Sequence, residues 1–243
     1  MRIIKKIGIG TLGLLLVASS LLGKEKDSAQ AVDSGSFGVF ISGRRVATET
    51  FSVRQPSPGS STISSQLKDE SGGAGQASEM QITSTGALVR YEWHELSPGK
   101  TSLVVSPNNE FLLETVTEKP GEKPAEQPFL LPNTSPVLDN NFFVHRQILA
   151  WRYLGSSCTT EAAGLKCGPG EFGVLIPQAR SSSRVMVQPI GDETLNIRGT
   201  EQKLLRIDFK GDDGDWSLWL NGKDHYKLMR IIKAGEQVEV VRD

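Results

Sequence analysis

Alternation of apolar and polar residues is the sequence feature that most constrains this chain. From Ser36 to the C-terminus, short runs of this kind are separated by turn residues at roughly eight- to twelve-residue intervals. In one such run, Leu205, Ile207 and Phe209 fall on one face, while Arg206 and Asp208 share the opposite face with Leu204. This pattern is typical of antiparallel strands that bury one side.

About a dozen strands are predicted in this way. The predicted strands span residues 37–42, 46–53, 61–67, 77–83, 87–96, 102–105, 111–117, 186–190, 193–198, 204–209, 216–220, 226–233 and 238–241. Asn221-Gly222 predicts a tight hairpin in the C-terminal four-stranded meander, and Gly191-Asp192 predicts another. A dozen strands are too many for a flat sheet. The predicted fold is therefore mainly β, a strongly curved antiparallel sheet or open half-barrel.

Two segments interrupt the strand pattern. Residues 118–136 place a proline at every fourth position from Pro120 onward, which predicts an extended connection rather than a strand. Residues 140–154 predict one helix of about 14 residues, capped by Asp139 or Asn140 and ended by Gly155. Its surface is mostly apolar, so we expect it to lie buried against the concave face of the sheet.

The N-terminus predicts export. Basic residues Arg2, Lys5 and Lys6 precede an apolar run that ends at Gly23, as in a secretory signal peptide. Cleavage after Ala31 fits the small-x-small pattern and gives a signal peptide of residues 1–31 and a single β-rich domain of residues 32–243; cleavage near Gly23 is the competing site. The expected localisation is periplasmic or secreted.

Charge and cysteine content fit an exported globular protein. The chain has 27 Lys and Arg residues against 28 Asp and Glu, and the signal peptide carries more basic than acidic residues. The remaining acidic chain has no attraction for nucleic acid, and we expect membrane contact only through the signal peptide. Cys158 and Cys167 are the only cysteines, and an oxidising compartment predicts a disulfide between them.

Motifs for catalysis and metal binding are absent from the sequence. It contains no G-x-S-x-G, H-E-x-x-H, P-loop or G-x-G-x-x-G pattern, and the Asp208–Asp215 cluster lacks EF-hand spacing. We therefore expect no catalytic residue, no metal site and no cofactor. His94 and His145 are the candidate general bases if the protein is nevertheless a hydrolase, while His225 is expected at the surface.

Three stretches carry a resemblance to known proteins. They are the opening hairpin FGVFISGRRV at residues 37–46, the segment LDNNFFVHRQIL at residues 138–149, and the C-terminal motifs WLNG, LMRII and VVR. They resemble exported bacterial proteins of unknown function, which in turn resemble the lipoprotein-carrier (LolA/LolB-like) fold. The resemblance implies an unclosed β-barrel with helices over its mouth. The chain has one helix where those carriers have several, and no functional residue is carried over.

Three functions follow from these patterns. The first is a carrier or sensor of an apolar ligand, such as lipid or lipoprotein, held between sheet and helix. Its candidate ligand-binding residues are Phe143, Ile148, Trp151 and Trp216. The second is an envelope scaffold whose interior is filled by its own helix and which acts through protein contacts. The third is a hydrolase. The sequence does not predict the ligand, the partner or the oligomeric state.

Overall fold

The computed structural model describes residues 30–71, 75–96, 99, 101–162, 164–212 and 214–243. The predicted signal peptide, apart from Gln30 and Ala31, lies outside the described residues. Gln30 and Ala31 are the first two residues of strand β1 and pair with Gln55 and Arg54. Cleavage after Ala31 would therefore remove the start of β1, whereas cleavage near Gly23 would leave it intact.

Strands dominate the described residues, as predicted. The elements are β1 Gln30–Ile41, β2 Arg44–Ser57, β3 Ser60–Asp69, β4 Gln76–Thr83, β5 Leu88–Glu95, β6 Ser102–Asn108, β7 Phe111–Thr117, β8 Ala125–Phe129, α1 Val144–Ser157, β9 Cys158–Glu161, β10 Gly164–Cys167, β11 Gly170–Ile176, β12 Ser181–Ile197, β13 Thr200–Gly211, β14 Gly214–Asn221, β15 Lys227–Lys233 and β16 Val238–Arg242. A short 3-10 turn, Pro177–Ala179, links β11 to β12.

Fourteen of the described strands form one antiparallel sheet. Its order is β11-β12-β13-β14-β15-β16-β1-β2-β3-β4-β5-β6-β7-β8, and β9 and β10 form a separate hairpin. The chain thus enters at the middle of the sheet, builds one half outward to β8, and crosses through α1 to the opposite edge. It then returns through the C-terminal half until β16 pairs with β1.

The sheet curves around α1 but does not close into a barrel. Buried side chains from both halves of the sheet and from α1 belong to one core cluster, which places the helix inside the curve. The segment before α1 covers the free edge of β11. Leu138 N donates to Leu175 O at 2.9 Å, and Leu175 N donates to Pro136 O at 2.9 Å. These hydrogen bonds occupy backbone groups on the edge of β11 that could otherwise pair with another strand.

A second, smaller apolar cluster lies on the outer face. Trp219 packs there with Ile197 and Leu204, whereas Trp216 points to the main core. The opposite orientation of the two tryptophans follows from the alternation along β14.

The predicted helix is present but shifted. It runs from Val144 to Ser157 rather than over residues 140–154. Asp139 does not cap it, because its carboxylate accepts from Asn141 N and Tyr91 Oη. Gly155 lies within the helix, and the extended backbone of Cys158 ends it. No helix of the described residues is both long enough and apolar enough to cross a membrane.

Three local predictions were wrong. Residues 125–129 form β8, although the proline-rich connection was expected to contain no strand. β8 is an edge strand, a position in a sheet that tolerates proline. Residues 186–190 and 193–198 do not form a hairpin, because a bulge at Gly191 lets β12 continue. The turn after Asn221 extends to Tyr226 instead of closing over two residues.

Candidate ligand cavity

A cavity of about 670 Å³ lies between α1 and the N-terminal half of the sheet. Strands β2 to β5 supply one wall through side chains that include Val53, Ile63, Met80 and Leu88. The helix supplies the opposite wall, through positions spaced three and four residues apart, which share one face. These helix positions are His145, Ile148, Leu149, Arg152, Gly155 and Ser156, with Trp151 beside them.

The cavity has an apolar interior and a polar mouth. Ile63, Met80 and Leu88 are almost fully buried, so they form its inner end. The lining residues that are exposed mark the opening; besides the apolar Val32 and Gly155, they are Ser84, Thr85 and Ser156. These hydroxyl groups belong to the turn between β4 and β5 and to the last turn of α1. The cavity can therefore receive a molecule with an apolar body and a polar end.

Arg152 lies at the mouth and joins its two sides. Its Nη1 donates to the backbone oxygens of Gly86, at 3.3 Å, and Thr134. Gly86 has a positive φ of 77°, and a Cβ there would lie 3.5 Å from Arg152 Nη1. The turn between β4 and β5 thus places its backbone directly against the guanidinium. Burial lowers the pKa of Arg152 from its usual range, but an arginine stays charged in a protein.

His145 contributes a neutral side chain. Its Nδ1 accepts from Asp139 N at 3.3 Å, and its ring contacts the Tyr91 and Phe142 rings. Burial, together with the positive charge of Arg146, lowers the pKa of His145 to about 3. Because Nδ1 accepts, the proton of the neutral ring is on Nε2, which has no hydrogen-bond partner among the described residues. The side chain is almost fully buried and is part of the cavity lining.

The start of α1 is held by a carboxylate from the sheet. Glu49 on β2 accepts from Phe143 N at 2.7 Å, Val144 N at 3.3 Å and Ser65 Oγ at 2.6 Å. These contacts satisfy backbone donors that no residue preceding the helix reaches. Burial raises the pKa of Glu49 from 4.5 to about 7, although the three hydrogen bonds and Arg146 favour its charged form.

A second polar network fixes the middle of the helix to the strands at the centre of the sheet. Gln147 Nε2 donates to Asp33 Oδ2 at 2.8 Å, and Gln147 Oε1 accepts from Leu228 N at 2.7 Å. Arg242 donates to both oxygens of Asp33, at 2.6 and 3.1 Å. A β-bulge between Ala31 and Asp33 accompanies the inward position of Asp33. With Glu49, these contacts fix the helix and hence the position of the cavity wall.

The four predicted ligand-binding residues separate into two pairs. Ile148 and Trp151 line the cavity, and Trp151 Nε1 donates to Tyr226 O at 2.9 Å. Phe143 and Trp216 lie in the core on another side of the helix, with ring centroids 6.4 Å apart. The Arg146 guanidinium lies over the Trp216 ring, 4.1 Å from its centroid. Phe143 and Trp216 are therefore placed as packing residues of the core.

The candidate histidines are not arranged as a catalytic site. His94 is half exposed on β5, with Nε2 3.5 Å from Glu92 Oε2, and it is not among the described residues that line the cavity. His225 is exposed in the turn before β15, with a φ of 51°. Among the described residues no group of three or more His, Cys, Asp or Glu side chains is placed to hold a metal ion; Asp213 lies outside them.

Sequence reasoning missed the residues that shape the mouth and hold the helix. Arg152, Glu49, Asp33 and Tyr91 are not among the site residues that the sequence predicts. Glu49 and Asp33 occupy inward positions of otherwise alternating strands, and a carboxylate at a core position is the signal that could have identified them. Their partners are distant in sequence, so the pattern alone did not reveal the contacts.

Comparison with known proteins identifies the architecture. No protein-family model and no curated protein sequence matches the chain. The chain is similar to a crystal structure of a β-barrel-like protein of a domain of unknown function, DUF1849, from Brucella abortus. The TM-score is 0.52 over 89% of this chain and 97% of that chain, at 5% sequence identity. The fold is β-barrel-like. At this identity the likeness concerns the fold alone, and the resemblance to lipoprotein carriers stays a prediction.

The disulfide is present. Cys158 and Cys167 are bonded and pair directly across the β9–β10 hairpin. Cys158 follows the last residue of α1, so the bond holds the end of the helix that carries the mouth of the cavity.

Proposed function

We propose that this protein is exported and binds an apolar ligand in the cavity between α1 and strands β2 to β5. The observation that carries the proposal is an apolar chamber of about 670 Å³ with an opening to solvent. Small-molecule sites in proteins have volumes of roughly 300 to 1,000 Å³ and mostly apolar walls. The basic and apolar N-terminal sequence supports export.

The two other functions have less support. A scaffold that acts through protein contacts was expected to have an interior filled by its own helix. Here α1 fills one part of the curve, through residues such as Phe143, and leaves the part beneath Ile148 open. The hydrolase hypothesis uses His94 or His145 as a general base, which must accept a proton at working pH. His145, with a pKa of about 3, is a weak base, and its Nδ1 contacts the backbone rather than a nucleophile.

The test is binding of N-phenyl-1-naphthylamine, a neutral apolar dye whose emission rises in apolar surroundings. The dye is titrated into the exported protein, expressed from the full chain, and into two variants. Ile82→Trp adds a large side chain at a residue that lines the cavity. Val89→Trp adds the same group at an exposed residue of the next strand. We expect saturable binding to the wild type and to Val89→Trp, and binding at least about tenfold weaker to Ile82→Trp.

Equal binding by all three proteins would show that the dye is not held in this cavity. No saturable binding to the wild type would contradict the proposal outright. Circular dichroism of the three proteins checks that each variant is folded.

A further inference from the structure

The charge distribution at the cavity mouth indicates what the polar end of the ligand must be. We propose, resting on the function proposed above, that the ligand is a single-chain amphiphile whose anionic head group binds Arg152. Its hydrocarbon chain occupies the apolar chamber, and its carboxylate or phosphate remains at the mouth.

Arg152 carries the only formal charge among the described residues that line the cavity. None of these lining residues is Asp or Glu, although the chain as a whole has slightly more acidic than basic residues. No carboxylate of the described residues forms an ion pair with Arg152. The field at the mouth is therefore positive, and an anion entering it gains attraction without displacing a carboxylate.

The guanidinium is also oriented by the protein. Its contacts with Gly86 O and Thr134 O both use Nη1. Nε and Nη2 make no hydrogen bond with the described residues. These two nitrogens form the edge that binds two oxygens of a carboxylate or phosphate side by side. The protein thus fixes one side of the guanidinium, and no described residue supplies an acceptor to its bidentate side.

The surroundings of Arg152 complete a head-group site. Hydroxyl groups of Ser84 and Thr85 are at the same mouth and can donate to further oxygens of an anion, whereas Ser156 Oγ donates to Tyr153 O at 3.3 Å. Ile148, one turn earlier on the same helix face, begins the apolar wall. Within one helical turn, the cavity lining changes from a cation and hydroxyl groups to hydrocarbon side chains. An anionic amphiphile changes in the same order, from its head group to its chain.

The test compares four ligands that share a twelve-carbon chain and differ in the head group. Laurate, dodecyl phosphate, dodecanol and dodecylammonium, each below its micelle concentration, displace N-phenyl-1-naphthylamine from the exported protein. We expect the better of the two anions to bind at least about tenfold more tightly than dodecanol. Dodecylammonium should bind most weakly. The ratio of laurate to dodecyl phosphate affinity then identifies whether a carboxylate or a phosphate is preferred.

Variants test whether the preference for an anionic head group comes from Arg152. Arg152→Gln should reduce the preference for the anion over dodecanol to within about twofold while dodecanol binding is retained. Arg152→Lys keeps the charge without the planar fork and should retain part of the preference. Arg90→Gln, which removes an exposed arginine from β5, changes the net charge equally and should leave the preference intact.

Equal affinity of the wild type for laurate, dodecyl phosphate and dodecanol would overturn this inference while the proposed function stands. An anion preference that survives in a folded Arg152→Gln protein would overturn it as well. If the dye and all four ligands fail to bind, the proposed function fails with it. If Arg152→Gln does not fold, the four ligands still test the inference on the wild-type protein, because that comparison needs no variant.

Discussion

Single residues decide how α1 is held, and several of them are ionisable groups buried where a sequence pattern predicts apolar side chains. Glu49 is fully buried and supplies the hydrogen bonds at the start of α1 that local residues do not supply. His145, the second residue of α1, is also buried and stays neutral. Such groups make stability depend on pH, because each has a different pKa in the folded and unfolded chain.

Replacement of Glu49 should change this pH dependence in a defined direction. The folded pKa is about 7 against 4.5 for a free glutamate, so between these values the folded chain binds more protons than the unfolded one. The contribution of Glu49 to stability is therefore greatest below pH 4.5 and falls by about 3 kcal/mol as the pH rises past 7. Glu49→Gln, which does not titrate, should become more stable relative to the wild type by up to that amount between pH 5 and pH 8.

The measurement is urea unfolding of both proteins across this range. A difference between the two that stays constant with pH would contradict a raised pKa for Glu49.

His145 should change the pH dependence of stability in the opposite direction to Glu49 and at lower pH. Its pKa falls from 6.5 to about 3 on folding, so the unfolded chain binds the extra proton between these values. The protein should lose about 5 kcal/mol of unfolding free energy from this group as the pH falls from 6.5 to 3. His145→Gln should lose less over the same range, and NMR titration of the imidazole provides a direct check. An imidazole that titrates near pH 6.5 in the folded protein would refute this.

At the scale of elements, α1 is positioned at both ends by contacts that the helix sequence does not contain. Glu49 holds its start, and the Cys158–Cys167 bond follows its end. Tyr153 Oη adds a hydrogen bond to Gly168 O at 2.7 Å, which ties the helix to the chain beyond the second cysteine. The mouth of the cavity depends on this end, because Arg152, Gly155 and Ser156 belong to it.

Removal of the disulfide should destabilise the protein and loosen the mouth. For a loop of about ten residues the chain-entropy model gives about 2.7 kcal/mol at 25 °C. Cys158→Ser with Cys167→Ser should lower the unfolding free energy by about this amount. Hydrogen exchange should show faster amide exchange at residues 152–157 than in the oxidised protein, with little change at residues 144–149. Unchanged stability and exchange would show that the bond has no role in holding the helix.

The elements also show which parts of the fold a pattern can predict. Leu205, Ile207 and Phe209 alternate as expected and are directed toward the main core, because a strand with one buried face leaves a direct record in its sequence. The prolines of residues 120–136 were taken to exclude a strand, yet β8 forms there, since its position at the sheet edge depends on the order of all the other strands. The bulge at Gly191 likewise depends on β13 pairing along the whole of β12.

The candidate site is subject to the same limit, because a sequence pattern does not contain the tertiary arrangement. Ile148 and Trp151 were predicted from the apolar helix surface, and they line the cavity. Phe143 from the helix and Trp216 from the sheet lie on the packed side, because the side on which α1 leaves space depends on the tertiary arrangement. Arg152 could be recognised only once Gly86, 66 residues away in sequence, was placed against it.

At the scale of the whole molecule, the sheet is held together where its first and last strands meet. β1 pairs with β16, and the buried Asp33 accepts two hydrogen bonds from Arg242. A second pair, Arg45 with Asp243, joins the same region at 2.6 Å but is about one-third exposed to solvent. Each pair has a further ionic neighbour, since Lys227 Nζ lies 3.8 Å from Asp33 and Arg45 Nε lies 3.3 Å from Glu70. The two pairs therefore compare a buried ionic contact with an exposed one.

Loss of the buried pair should cost much more than loss of the exposed one. Arg242→Met leaves Asp33 buried without its bidentate partner and should lower the unfolding free energy by about 3 kcal/mol or more. Arg45→Met should cost less than about 1 kcal/mol, because exposed ion pairs contribute little. Thermal or urea unfolding of both variants measures the difference, and equal losses would refute the view that the Asp33–Arg242 pair holds the two halves together.

The most direct test of ligand binding is native mass spectrometry of the protein purified after export, without detergent. We expect a polypeptide that lacks its N-terminal signal, contains one disulfide, and carries additional mass that organic solvent releases as a single-chain amphiphile. The cavity-filled variant Ile82→Trp should lack this mass and Val89→Trp should keep it. A bare polypeptide mass, unchanged after incubation of the protein with envelope lipids, would contradict the central claim that the cavity under α1 is a ligand-binding site.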